Sequence, residues 1–447
     1  MAGERRAARR CRGRADADHE RVVRGVETPC EGGRRLSWVE RHTPALQYRN
    51  FRLLWLGLLA SFTGSFMQQA ALLWHVSILV PPGQKALALG IVGLVRVVPI
   101  MTLSLVSGVV ADAVDRRKLM LATSIGGGVV ALALAVMAFA KVSVVWPVYV
   151  MAALGSAASA FDGPARHSLV PMLVPRERLA NAVSLNTAMI QAAAVGGPAL
   201  AGLLIASTDL GWAYVANAVS FGFIAVSLRM MRDVPATERA PGRADDISLK
   251  AAREGLRFVF SSPMIRSSML LDFFATFFSS ATALLPIFAQ DILHVGATGY
   301  GWLVAAPAVG AVVGSIAMIR LQEVIDRRGP LLVWAVAIYG LSTVVFGVSR
   351  SFWLTFACLA ASGLADAVSM VIRNLIRQLE TPDALRGRMT GINMVFFMGG
   401  PQLGELEAGL VANWRGAPFS VVTGGIGCLI ATGAIVAATP ALWKYRR

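Results

Sequence analysis

Long apolar stretches without a single charge constrain the fold of this chain more than any other feature. Residues 119–140, 331–349 and 419–438 are each about as long as a helix that crosses a hydrocarbon core of ~30 Å. They are apolar on every side, whereas a helix at the surface of a soluble protein has one apolar stripe. Hydrophobic residues make up 55% of the chain and charged residues 15%, against roughly 25% charged in soluble domains. The chain is therefore predicted to lie in a bilayer.

Apolar segments of this kind recur along the chain and number twelve. An even number of crossings places both termini on the same side of the membrane. The predicted fold is an all-α membrane protein with 12 transmembrane helices in two six-helix halves. The predicted helices cover residues 51–79, 86–110, 119–140, 143–162, 180–206, 211–231, 266–290, 298–320, 330–349, 352–372, 387–412 and 417–439.

The distribution of positive charge supports this topology. With a cytosolic amino terminus, 37 Lys and Arg residues lie on the cytosolic side and four on the other, while Arg96 lies inside the second helix. The net charge of +16 does not indicate a nucleic-acid partner, because the basic residues lie between apolar segments and do not alternate with aromatics on one surface. A monomeric, multi-pass protein of the cell membrane with cytosolic termini is expected.

Five regions follow from the pattern of charge and hydropathy. In the linker between the halves, Asp246 could cap a basic amphipathic helix at residues 247–260, lying on the cytosolic leaflet. The predicted regions are a disordered basic tail (1–45), the first half (46–231), the cytosolic linker (232–265), the second half (266–440) and a cytosolic tail (441–447).

An internal repeat supports the division into halves. A shift of 207 residues aligns Arg166 with Arg373 and Asn186 with Asn393. The arginine pair falls in the predicted fourth loop and its counterpart, the tenth, and the asparagine pair lies near the starts of the helices that follow. Internal repeats of this kind are common in transporters, which bind substrate between their repeats.

Signatures of enzymes and ATP-driven pumps are missing from the sequence. It contains no phosphate loop of the GxxxxGK[ST] type, no HExxH and no GxSxG. The four cysteines form no CxxC pair, so no zinc site is indicated. No catalytic residue, metal or cofactor is predicted. A membrane-embedded lipid-modifying enzyme is kept as the alternative from another class.

The loop after the second predicted helix reads GVVADAVDRRK over residues 108–118. It resembles the loop signature of the major facilitator superfamily, Gly-x-x-x-Asp-x-x-Gly-Arg-Arg/Lys, with Asp115 where glycine is usual. The resemblance implies a loop that holds the halves together in one state, in which an aspartate pairs with cations or a helix amino terminus. An ordinary basic loop placed by topology is the alternative. The residues that carry the motif are Gly108, Asp112, Arg116 and Arg117.

The fifth predicted helix contains GPALAG at residues 197–202, similar to part of the Gly-Pro-x-x-Gly-Gly motif of exporting and antiporting members. Here Gly197, Pro198 and Gly202 would allow close helix approach and a bend. FDGPARHSLVP at 161–171 resembles the enterobactin-exporter-like branch, which also has relatives associated with macrolides. The resemblance spans about residues 46–440. It implies alternating access and proton-coupled efflux of a small amphipathic molecule, a siderophore or a drug, with an importer of a small metabolite as the alternative.

Charged residues inside the predicted helices are candidates for substrate binding and proton coupling, because a charge there needs a partner or a watery cavity. They are Arg96 in the second helix, Asp272 in the seventh and Glu405 in the eleventh. Either carboxylate could alternate between protonated and ionised forms, with Arg96 favouring the ionised form when near. Gln68 and Gln69 in the first helix could hydrogen-bond a substrate. The alternatives are structural ion pairs and helix–helix contacts.

Overall fold

The computed structural model describes residues 43–232, 256–321, 327–382 and 385–446. Within these ranges the chain forms twelve helices of 16 residues or more. They are α1 (Arg49–Leu79), α2 (Lys85–Ala113), α3 (Arg116–Phe139), α4 (Trp146–Leu169), α5 (Leu179–Ser207), α6 (Leu210–Met230), α7 (Pro263–Phe278), α8 (Gly296–Leu321), α9 (Arg328–Val348), α10 (Phe352–Glu380), α11 (Arg386–Arg415) and α12 (Ala417–Ala438).

Ten spans in this described part are long and apolar enough to cross a membrane. The other two long helices, α4 and α11, are similar in length but more polar. Asp162 and Arg166 lie inside α4, and Glu405 and Glu407 lie inside α11. In a helix of membrane-spanning length, the side that carries polar residues faces other helices or a cavity and does not face lipid.

The two sets of six helices pair in the same pattern. In the first set, α1 packs on α5 and α6, α3 packs on α4 and α6, and α2 packs on α4. In the second set, α7 packs on α11 and α12, α9 packs on α10 and α12, and α8 packs on α10. Two interfaces, α2–α11 and α5–α8, join the sets. They are equivalent, because moving each helix six positions along the order turns α2–α11 into α8–α5. The described helices therefore form two equivalent sets, which confirms the internal repeat seen in the sequence.

Paired glycines let the two sets approach closely at both interfaces. A Cβ on Gly90 of α2 would lie 2.9 Å from the Cα of Gly409 in α11, and a Cβ on Gly202 of α5 would lie 2.9 Å from the Cα of Gly301 in α8. Within each set, short connections make successive helices run in opposite directions. Both glycine contacts therefore lie on the side remote from the start of α1, which we call the far side, and the opposite side is the terminal side.

The seventh predicted segment, residues 266–290, lies within one candidate membrane span, Pro263–Ile292, but its helix is interrupted. After α7 ends at Phe278, the chain forms a 3-10 turn (Ala281–Leu284), a single α-turn (Leu285–Ile287) and a π-helix (Phe288–Ile292). Pro286, inside the α-turn, has no backbone N–H to donate to the preceding turn, which weakens the helical hydrogen bonding there. The Ser280 hydroxyl donates to the Pro401 carbonyl of α11 at 2.9 Å, which stabilises the break.

The predicted ends of two helices are wrong. The prediction ended α4 at residue 162 and α10 at residue 372, whereas they continue to Leu169 and Glu380. Arg166, Arg373 and Arg377, which the charge count had assigned to loops, consequently lie inside helices. Acidic partners described below allow these arginines to remain within the helical core. The predicted tail up to residue 42, and residues 247–255 of the predicted linker helix, lie outside the described residues.

Candidate functional site

A cavity of about 530 Å³ lies among α1, α2, α3, α4 and α6, all in the first set. Its walls combine apolar side chains, including Phe62 and Phe221, with polar ones. Three of the predicted site residues meet here, namely Gln68 and Gln69 from α1 and Arg96 from α2. A concave, largely apolar site with a few convergent polar groups is typical of small-molecule binding.

One wall of the cavity is held by an amide pair. The Asn217 side chain of α6 donates to the Gln68 Oε1 at 2.8 Å, and Asn217 is 1% exposed. This bond fixes the orientation of the Gln68 amide and leaves its N–H groups for another acceptor. Sequence reasoning found Gln68 but missed Asn217. A lone asparagine within the apolar run of α6 was the signal that could have found it.

A second wall is formed by an ion pair within α4. The Arg166 guanidinium lies 2.7 Å from the Asp162 carboxylate one helical turn earlier. It also lies over the Phe62 ring of α1, 4.3 Å from the ring centroid. A carboxylate together with an aromatic face stabilises a cation in a partly desolvated site. The sequence placed Arg166 in a loop and so missed this pair.

Arg96 lies between the cavity and the α2–α11 interface. It lines the cavity, and it makes no ion pair or hydrogen bond with any residue that the structure describes. Its charge acts on Glu405 of α11, which is 7% exposed. A Cβ on Gly93 would lie 2.8 Å from the Glu405 Cβ, so the carboxylate sits directly against α2. Of the two predicted carboxylates, Glu405 is therefore the one close to Arg96.

The Glu405 carboxylate is incompletely satisfied. Among the described residues its Oε2 is buried and has no hydrogen-bond partner. A buried, ionised carboxylate is costly unless it is paired and hydrogen-bonded. Glu405 therefore occupies an environment in which its charge state matters for the packing of α2 on α11.

Asp272 lies apart from the cavity, in a buried ion cluster between α7 and α10. It is 2% exposed, and its Oδ1 lies 3.1 Å from the Arg373 guanidinium while its Oδ2 lies 3.4 Å from that of Arg377. Arg373 also pairs with Asp366 at 3.0 Å. Two arginines thus compensate the Asp272 carboxylate. Asp272 is thus paired with arginines of its own set, whereas Arg96 lines the cavity in the first set.

The loop motif ties α3 to α6 within the first set. The Asp115 carboxylate caps α3 by accepting from the Arg117 backbone N–H at 2.8 Å. The Arg117 guanidinium donates to the Arg229 carbonyl near the end of α6 at 3.1 Å. Asp115, the departure from the superfamily signature, is thus a helix cap. The side chain of Asp112 lies outside the described part, so its role in holding the halves together stays a prediction.

The glycines of the α5 motif contact two neighbouring helices, α1 and α8. A Cβ on Gly197 would lie 2.7 Å from the Thr63 carbonyl oxygen of α1, while Gly202 meets Gly301 of α8. Pro198, between them, is buried. Small residues at these positions bring α5 close to both neighbours, as the sequence predicted for them.

Solved structures of membrane transporters share this arrangement of helices. A bacterial homologue of the human lysosomal transporter Spinster, in an inward-facing and unoccupied conformation, matches with a TM-score of 0.69 at 15% identity, covering 90% of this chain and 98% of that one. A bacterial homologue of the iron transporter ferroportin, in an inward-facing state, matches with a TM-score of 0.67 at 16% identity, covering 89% and 99%. The fold is that of a multi-helix membrane transporter.

The family model described as transmembrane secretion effector matches residues 42–444, and the chain belongs to that family. It is similar to the enterobactin exporter EntS of Escherichia coli O1:K1 / APEC and of Shigella boydii serotype 18, each 27% identical over 327 residues, which are 73% of this chain and 77% of the relative. The chain is a major facilitator superfamily transporter of the enterobactin-exporter-like branch. It is a multi-pass inner-membrane protein with a small-molecule substrate, and family membership sets aside the lipid-modifying enzyme.

Proposed function

We propose that this protein is a secondary active exporter that moves a small amphipathic organic molecule by alternating access of its two six-helix sets. The observation that carries the proposal is the combination of a polar-lined cavity in the first set with close glycine contacts between the sets at the far side. In this reading all twelve long helices cross the membrane and both termini are cytosolic. The driving force is the proton-motive force, and no cofactor takes part.

Polar contacts between the sets support a far-side closure. The Lys85 ammonium of α2 lies 3.1 Å from the Asp291 carboxylate and donates to the Gln290 Oε1 at 3.0 Å. The Tyr300 hydroxyl of α8 donates to the Ala70 carbonyl of α1 at 2.9 Å. Export requires a second conformation in which these bonds break and the cavity reaches the far side.

The relatives support the substrate class. Proteins named as enterobactin exporters share 27% identity with this chain, so a siderophore is the first substrate to test. A macrolide or another drug is the second, since the branch resemblance extends to such relatives. The mixture of aromatic and amide groups in the cavity suits an amphipathic molecule with several hydrogen-bonding groups.

Glu405 is the carboxylate best placed for proton coupling. It is buried at an interface that must open, and its Oε2 has no hydrogen-bond partner among the described residues. Asp272, by contrast, is compensated by Arg373 and Arg377. A group that binds and releases a proton in each cycle must change its surroundings between the two conformations, and α2–α11 is one of the two interfaces that separate.

The test is efflux from loaded, energised cells over a panel of siderophores, macrolides and dyes. We expect export by the wild type that an uncoupler abolishes, and loss of export in Glu405→Gln at a normal protein level. The matched control is Glu407→Gln, two residues along the same helix, which should retain export. Uncoupler-insensitive export, or normal export by Glu405→Gln, would refute proton coupling through Glu405. Uptake in place of efflux would show that the protein is an importer.

A further inference from the structure

Arg96 of α2 lines the cavity and also lies close enough to Glu405 of α11 for its charge to act on that carboxylate. We propose that Arg96 selects an organic anion as the substrate, and that the anion competes with ionised Glu405 for this cation, so that occupancy of the cavity opens the α2–α11 interface. This inference rests on the proposed export function and adds the charge class of the substrate and the residue that selects it.

The charge of the cavity wall favours an anion. Asp162 and Arg166 are 2.7 Å apart and neutralise each other. Arg96 is the remaining charged side chain on the described wall, so the cavity carries a net positive charge. Gln68 and Gln69 add amide N–H donors on the facing helix. A guanidinium with amide donors suits a carboxylate, catecholate, hydroxamate or sulfonate, and a cationic drug would meet repulsion.

The second half of the inference concerns the closed interface. Glu405 is 7% exposed and lies against Gly93, where the sets meet. An ionised carboxylate at this depth is costly without a nearby cation, and the charge of Arg96 acts on it from α2. An anionic ligand that engages Arg96 therefore destabilises the closed far side. Opening admits water to Glu405 and relieves the cost.

The remaining titratable groups near this interface do not replace Arg96. Tyr300 of α8 acts on Glu405 electrostatically, but its hydroxyl is engaged by the Ala70 carbonyl. On α7, Asp272 is held by its own arginines. On α12, the Cys428 thiol faces the Val336 carbonyl at 3.9 Å. On α11 itself, Glu407 lies two residues from Glu405, about 200° around the helix, and so faces another direction.

The cycle balances one proton against one anion. With the anion bound at Arg96, the protein opens to the far side while Glu405 is ionised. After the anion leaves, Glu405 takes a proton from the far side, becomes neutral and can be buried again. On return the carboxyl releases this proton toward the terminal side, and Arg96 again compensates the carboxylate. When no anion is bound and Glu405 is ionised, the protein stays closed at the far side. This prevents protons from crossing without export of an anion.

The closing experiment measures the interface and needs no transport. Ala86 of α2 is 7% exposed at the Gly409 contact, and its replacement by cysteine, in a chain whose native cysteines are serine, reports opening through alkylation by a membrane-impermeant maleimide. At neutral pH we expect Arg96→Gln to raise the labelling rate by about tenfold, and Arg96→Gln/Glu405→Gln to return it to the parent rate. Arg320→Gln, which removes an exposed arginine of α8 outside the cavity, should leave the rate unchanged.

Arg96→Lys provides a second check because it keeps the positive charge. Its labelling rate should stay near that of the parent, and this comparison remains valid if Arg96→Gln folds poorly. Unchanged labelling in Arg96→Gln, or no return in the double variant, would overturn the link to Glu405. If labelling rises equally in Arg96→Gln and Arg320→Gln, the effect is general loosening and the proposal fails. These outcomes are independent of efflux, so they do not depend on whether the protein exports or imports.

The substrate class is tested on the same reporter with added probes. Amphiphiles bearing a carboxylate, catecholate, hydroxamate or sulfonate are compared with amines built on the same skeletons. We expect at least one anion to raise labelling severalfold in the parent and none to do so in Arg96→Gln, because its cation is gone. A response to amines alone, or to neither class, would reject selection of an anion by Arg96.

Discussion

Asp272 illustrates how a charged residue inside a helix can be structural. It is enclosed by two arginines that are 1% and 3% exposed, so removing its charge leaves two buried cations without compensation. We expect Asp272→Asn to lower the free energy of unfolding by ~3–5 kcal/mol, measured as a reduced thermal midpoint in detergent. Asp366→Asn is the matched control, because the Asp366 side chain is 41% exposed and its loss should cost far less.

A double variant separates lost pairing from lost packing. Adding Arg373→Gln to Asp272→Asn removes one of the uncompensated cations and should recover part of the lost midpoint. Equal losses in Asp272→Asn and Asp366→Asn, or no recovery in the double variant, would contradict the structural role. Such a result would return Asp272 to the list of coupling candidates beside Glu405.

At the residue scale, the sequence identified which charges matter but not their partners. Arg96, Asp272 and Glu405 are conspicuous because each interrupts an apolar segment. Arg373 and Arg377 follow the apolar part of α10 and resemble loop charges, although they are buried. A charge at the end of an apolar run can belong to a loop or to the last turns of a longer helix, and only the acidic groups brought close by folding decide between the two.

At the scale of a single element, Asp115 gives α3 its cap. The carboxylate accepts from the backbone N–H groups of Arg117 and Lys118 at 2.8 and 3.2 Å. Asp115→Ala should lower the free energy of unfolding by ~1 kcal/mol, whereas Asp115→Gly, which restores the usual residue of the superfamily signature, should cost only a few tenths. Thermal midpoints of the two variants provide the measurement. A larger loss for glycine than for alanine would show that the carboxylate has a role beyond the cap.

Close packing of α5 on α8 gives a second prediction for an element. A Cβ on Gly202 would lie 2.5 Å from the Ala297 carbonyl oxygen, and larger side chains would push α8 away. We expect Gly202→Leu to prevent far-side closure and to reduce efflux by about tenfold or more, because overpacking a tight contact costs ~1–3 kcal/mol. Gly222→Leu in α6 is the control, since a Cβ there meets open space. Normal efflux in Gly202→Leu would show that this contact is not part of the transport cycle.

Helix boundaries and breaks were the elements that the sequence predicted least well. Hydropathy gave twelve segments, and a long helix lies at each of them. The break after Phe278 was missed because Leu285–Ile287 and Phe288–Ile292 are as apolar as the helix before them. Pro286 was visible in the sequence, but Pro99, Pro198 and Pro401 lie within continuous helices. Proline alone therefore could not distinguish a break from a tolerated bend.

At the scale of the whole molecule, the repeat was predictable and the joining surfaces were not. Matches at a shift of 207 residues indicated two related sets, and the helices do pair in two equivalent patterns. Which helices meet across the sets depends on small residues whose partners are more than 90 positions away, such as Gly202 with Gly301 or Gly90 with Gly409. Single glycines in apolar helices are too common to reveal such partners from one sequence.

The ion pair between Lys85 and Asp291 leads to a prediction about the balance of conformations. It links the sets at the far side, where the side chains are 12% and 46% exposed, so it should contribute at most ~1 kcal/mol to the closed state. Asp291→Lys places two cations together and should raise the open population up to about fivefold. Lys85→Asp/Asp291→Lys exchanges the charges and should restore closure. Distances between spin labels on cysteines at Lys141 and Arg350, exposed positions in opposite sets, measure this directly. A distance distribution unchanged by the single reversal would show that the glycine contacts alone hold the far side closed.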